Sequence, residues 1–198
     1  LSFTPDGQNI ATASFDGRIL FWQVEDGRMV NVFDNIDSWL ATISISPNGK
    51  LLASGGGYRG IKLWNNSDGT IVKELPGHGI WIRSLRFSPN GKLLASGSFD
   101  RTVKLWRVED GSLLRILEGH LGRVEDVSFS ADGKLLASAS RDGTVKLWNL
   151  DLELDDLMQL GCEWLGDYLA IHPEEEELTN GFCGLGESAQ ERDDHKIR

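Results

Sequence analysis

The chain has 198 residues, 40 % of them hydrophobic, and a formal net charge of −10; that is enough for one sizeable domain, or for a domain with a tail. No apolar stretch approaches the roughly 18 residues a membrane helix needs, so a membrane protein is not expected. The charge is split unevenly: residues 1–150 hold 16 acidic and 17 basic side chains, and the remainder 14 acidic and 3 basic. The basic residues of the first part are scattered along it, which argues against a nucleic-acid-binding face.

In chain order, LSFTPDG opens inside a strand that ends at a turn signal. Leu1 is not an initiator Met, so the natural N-terminus is expected to lie elsewhere. Next come a short strand-like run in GQNIATASFDGRILFW (Gly7 to Trp22), a tight turn at Asp16, and a second strand ending at Trp22. An Asp-Gly turn at Asp26-Gly27 leads into RMVNVF, a further strand. The same order then repeats. GKLLASGGGYRGIKLW closes at Trp64, GKLLASGSFDRTVKLW at Trp106 and GKLLASASRDGTVKLW at Trp148, each 42 residues after the one before. LLAS reads as a buried strand, and TVKLW, with Lys between strand-formers, as a half-buried one. IRSLRFS (Ile82 to Ser88) and VEDVSFS (Val124 to Ser130) supply a strand upstream of each, and TIVKEL and SLLRIL one downstream. A fixed period of this size means one supersecondary unit used repeatedly, here a four-stranded meander.

Gly77-His78 and Gly119-His120, again 42 apart and each followed by a turn Asp and a Trp, make the chain resemble the WD-repeat β-propeller family over residues 1–150. The resemblance implies an all-β fold: about four propeller blades of four-stranded antiparallel sheets, truncated at the N-terminus and forming an open arc. It also implies a buried hydrogen-bonded tetrad per blade. By position these are His78, Ser96, Asp100 and Trp106 in the third unit, and His120, Ser138, Asp142 and Trp148 in the fourth. The first keeps Thr12, Asp16 and Trp22, and its Gly-His would precede Leu1. The second keeps Ser54 and Trp64, with Ile36 and Tyr58 where His and Asp are expected. The Asp that follows the Trp in the family pattern is replaced by Gln23, Asn65, Arg107 and Asn149. A Ser-His-Asp catalytic triad is the competing interpretation, but a catalytic site occurs once and this set recurs.

After Trp148 the period stops. Residues 151–173 carry apolar residues near helical spacing, with Asp151 as a plausible N-cap and Pro173 as a stop, and predict a short helical tail. Its GCEWLGDYL (Gly161 to Leu169) resembles the tail that closes many bacterial WD-repeat proteins, in which the propeller often follows an NTPase or other effector domain. Residues 174–198 are acidic and Gly-rich, a composition expected to be disordered. Cys162 and Cys183 have no C-x-x-C spacing and are expected to be free thiols in a cytoplasmic protein. Gly55-Gly56-Gly57 is a departure from the repeat at a strand end, not a phosphate loop.

The family's partner-binding face carries the loops before the innermost strands and the central turns. By repeat position this assigns Phe15, Trp39, Trp81, Arg83, Phe99, Arg123 and Arg141 to one rim, residue types enriched in interface hot spots. The alternative for Trp39 and Trp81 is that they fill space between blades. The function this implies is a non-catalytic protein–protein interaction scaffold or sensor within a larger bacterial signalling protein. It would bind a protein or peptide, with no nucleic acid, membrane, cofactor or metal. The alternatives are a hydrolase-like enzyme with its site on a propeller face, and a tail that itself binds a partner. At least three further blades are expected upstream of Leu1.

Overall fold

The computed structural model describes residues 1–34, 39–57 and 60–151. Ile36, Tyr58, both cysteines and all of the expected tail after Asp151 lie outside the described residues. The chain divides into two units, Leu1–Leu150 and Asp151–Arg198, and only the first is described below.

Each repeat folds as the meander its turn signals predict. β1 (Ser2–Phe3), β2 (Asn9–Ala13), β3 (Arg18–Gln23) and β4 (Met29–Asp34) form the first sheet. β5 (Leu40–Ile45), β6 (Leu51–Gly56), β7 (Ile61–Asn65) and β8 (Ile71–Leu75) form the second. The third comprises β9 (Ile82–Phe87), β10 (Leu93–Ser98), β11 (Val103–Arg107) and β12 (Leu113–Leu117). Among the described residues the fourth has three strands, β13 (Val124–Phe129), β14 (Leu135–Ser140) and β15 (Val145–Asn149). Neighbours are antiparallel and sequential throughout.

The register repeats with the sequence. Trp22 pairs with Ile10, Trp64 with Leu52, Trp106 with Leu94 and Trp148 with Leu136. Local chemistry sets it: at the first hairpin of each sheet an Asx side chain accepts the backbone N–H two residues on. The pairs are Gln8 to Asp6 at 2.9 Å, and Lys50 to Asn48, Lys92 to Asn90 and Lys134 to Asp132 at 3.0 Å. Such a side chain imitates a backbone turn and fixes where the strand restarts. At the last hairpin of the third sheet Asp110 does the same for Ser112, and Gly111 sits at φ 76°, a left-handed conformation that glycine adopts without strain.

The sheets stack face to face, inner strand beside inner strand. The face of one sheet that carries the β3-type residues packs on the Trp-bearing face of the next. Ile19, Phe21 and Phe33 meet Leu40, Ile43, Ile45 and Trp64 at the first junction. Ile61, Leu63 and Leu75 meet Ile82, Leu85, Phe87 and Trp106 at the second, and Val103 and Leu105 meet Val124, Val127 and Leu136 at the third. A Cβ added at Gly97 would come within 2.7 Å of Val124 Cγ1, so the strands there approach more closely than any larger residue permits. The arc is open. Val145 and Leu147 are 68 and 70 % exposed, whereas their equivalents Val103 and Leu105 are 0 and 3 % exposed. At the other end Leu1 and Phe3 are also uncovered.

Candidate functional site

The structure brings His78, Ser96, Asp100 and Trp106 together. His78 Nδ1 lies 2.7 Å from Asp100 Oδ2, and its Nε2 lies 2.7 Å from Ser96 Oγ. A carboxylate only accepts, so the ring proton belongs on Nδ1 and Nε2 accepts the Ser96 hydroxyl. Ser96 Oγ in turn accepts the indole N–H of Trp106 at 2.9 Å. In the fourth sheet His120 Nδ1 is 2.9 Å from Asp142, Nε2 is 2.8 Å from Ser138 Oγ, and the Trp148 N–H donates to Ser138 at 2.9 Å. Among the described residues the first two sheets show the last link, Trp22 to Thr12 at 2.9 Å and Trp64 to Ser54 at 2.8 Å. Asp16 is not brought to Thr12 and Trp22. Its carboxylate binds Arg18 Nη2 at 2.6 Å.

Burial on its own would push the Asp100 carboxyl up, but hydrogen bonds from His78 and from Thr102 outweigh it and hold it well below the usual carboxylate range. Asp142 is also lowered, first by the Thr144 hydroxyl, against an opposing effect of burial, with help from the Leu121 N–H. A carboxyl whose folded pKa is depressed contributes stability that is fully present above its unfolded value, about 3.9, and is lost as pH falls through the folded one. Asp100→Asn is therefore expected to be less stable than wild type at neutral pH but to lose less on acidification below about pH 4. Urea unfolding at a series of pH values measures this, and parallel curves for the two proteins would remove Asp100 from the acid response.

The turn that Asp100 holds also builds the rim. The Asp100 N–H donates to Ser98 Oγ at 3.1 Å, the Ser98 hydroxyl donates to the Trp81 carbonyl at 2.8 Å, and the Phe99 N–H donates to that carbonyl at 2.9 Å. The same backbone link joins Gly57 to Trp39 and Arg141 to Arg123, each at 2.9 Å. It places the residue before the central turn beside the residue before the inner strand.

The resulting surface is continuous. Trp81 meets Trp39 at a ring-centroid distance of 5.8 Å, Phe15 at 5.9 Å and Phe99 at 6.3 Å. The Arg123 guanidinium lies 4.5 Å over the Phe99 ring. Arg141 Nε donates to Glu125 at 2.6 Å and Arg83 Nε to the same carboxylate at 3.3 Å. Phe15 and Trp39 are 61 and 59 % exposed, so neither fills a space between sheets, and Trp81 and Phe99 are partly exposed. The position-by-position assignment of this rim did not foresee that Phe15, on the first sheet, touches Trp81, on the third. The intervening repeat has Gly57 where Phe15 and Phe99 stand one repeat away, so it contributes no ring of its own at that position.

Among the described residues no group of three or more His, Cys, Asp or Glu could hold a metal ion, and no helix is long and apolar enough to cross a membrane. Four antiparallel meanders with their inner strands side by side define an arc of a β-propeller. The chain belongs to the WD-repeat family: the family described as "WD domain, G-beta repeat" matches residues 1–23, 27–65, 69–107 and 111–149. Among solved structures, it is similar to one titled "Structure of U3-55K". The two are 32 % identical with a TM-score of 0.69, over 75 % of this chain and 47 % of that chain. The chain thus spans about half the length of that relative. No curated protein sequence matches it.

Proposed function

We propose that the arc is a non-catalytic protein-interaction module that docks a protein or peptide partner on the rim formed by Phe15, Trp39, Trp81, Phe99, Arg83, Arg123 and Arg141. The observation that carries this is the unbroken run of touching aromatic rings, two exposed and two partly exposed, ending on a guanidinium. Large rigid rings bury much area at little entropic cost, which is why Trp and Arg dominate interface energetics. The tetrads serve this surface indirectly, by fixing the turn from which Phe99 projects.

The competing reading, a hydrolase-like site, draws on the Ser-His-Asp geometry. Ser96 is fully buried and its Oγ accepts the Trp106 N–H, so it faces the inside of the blade. The tail sequence GCEWLGDYL supports a place within a larger cytoplasmic bacterial signalling protein, with an upstream NTPase or other effector domain. Trp81→Ala and Phe99→Ala are expected to abolish capture of partners from lysate while leaving the melting temperature nearly unchanged. Undiminished capture by folded variants, compared with wild type by mass spectrometry, would sink the docking reading.

A further inference from the structure

The rim is chemically polarised along its length. Phe15, Trp39 and Trp81 form an apolar end, beside which Arg18 is neutralised by Asp16. At the other end the Arg123 guanidinium lies over Phe99, and Arg83 and Arg141 share one carboxylate, Glu125. Among the described residues, Asp100 is engaged with His78 and Thr102, Asp142 with His120, Thr144 and the Leu121 N–H, and Asp126, next to Glu125, with Ser84 and Arg86. Arg83 and Arg141 meet Glu125 through Nε, and their side chains are 48 and 66 % exposed, so their outward guanidinium edges face solvent. A ligand cation stacking on Phe99 would meet Arg123, which already lies over that ring. A carboxylate would instead be met by planar donor pairs suited to bidentate contact.

We infer that the rim selects an extended peptide segment with an apolar anchor (aromatic, Leu or Pro) next to one or more Asp or Glu side chains. The anchor lies on Trp39 and Trp81, and the carboxylates lie among Arg83, Arg123 and Arg141. This rests on the docking reading above and adds the chemistry of the partner to it.

Selection of random short peptides displayed on phage against the full immobilised chain tests the inference, with the acidic segment 174–198 common to every arm. Enriched peptides are expected to combine Asp or Glu with an adjacent aromatic, Leu or Pro. Their binding should weaken roughly tenfold or more in the triple variant Arg83→Gln, Arg123→Gln, Arg141→Gln, and also as salt rises from about 50 to about 300 mM. Replacing Asp and Glu in a selected peptide by Asn and Gln tests the same contact without altering the protein. Enrichment of basic or uncharged peptides that still require Trp39 and Trp81 would overturn the inferred chemistry and leave the docking reading standing. Peptides whose binding survives Trp39→Ala with Trp81→Ala, or no enrichment over a blank surface, would overturn both.

Discussion

Trp106→Ala is expected to cost about 3–5 kcal/mol of unfolding free energy. The indole is 1 % exposed and is wedged between the second and third sheets among Leu63, Leu75, Ile82, Leu85, Phe87 and Leu94. Truncation leaves a cavity in a junction that both sheets hold open, so the neighbours can collapse only in part. It also strips Ser96 Oγ of the indole N–H it accepts, and removes the edge-on contact with His78, whose ring centroid lies 6.5 Å away. Trp148 makes the same bond to Ser138 but is only partly buried. The strand β12 that covers the outer edge of the third sheet has no counterpart among the described residues of the fourth. Trp148→Ala is accordingly expected to cost less than Trp106→Ala. Urea midpoints for the two variants measure the difference, and equal losses would mean that the hydrogen bond, not the cavity, sets the cost.

What the sequence made legible was whatever is encoded within one repeat. Strand order, hairpin position and the pairing register follow from alternation and from Asx and Gly residues at fixed offsets, so the 42-residue period placed them. The His-Ser-Trp links were legible for the same reason, since all the partners lie within about one repeat. Interactions that depend on how blades stand against each other were less so. The Phe15–Trp81 contact joins the first sheet to the third, skipping the repeat between them. Asp16 occupies the tetrad position, yet its carboxylate pairs with Arg18. Arg101 is a third case: the turn was evident, yet φ at this residue is +73°, the conformation that Gly17 and Gly143 supply at the equivalent positions. A side chain there carries strain of about 1–2 kcal/mol, a cost no propensity pattern displays.

Leu105→Ala and Leu147→Ala are expected to differ more than any other matched pair in the protein. They are the same residue at the same point of the repeat, 42 positions apart, on strands of identical register: Leu105 pairs with Ala95, and Leu147 with Ala137. Yet Leu105 is 3 % exposed beneath the fourth sheet, and Leu147 is 70 % exposed. Removing three carbons from Leu105 forfeits their burial and leaves a void against Val124, Val127 and Leu136, at a cost of about 2–5 kcal/mol. Removing them from Leu147 takes apolar area away from water in folded and unfolded chains alike, so the change is expected within about 0.5 kcal/mol of zero. Denaturant titration of the two variants gives both numbers. A cost at Leu147 as large as that at Leu105 would mean that the last face is covered in solution. If that cost grows with protein concentration the cover is a second molecule, because only an intermolecular contact gains stability by mass action. If it does not, the cover belongs to the same chain.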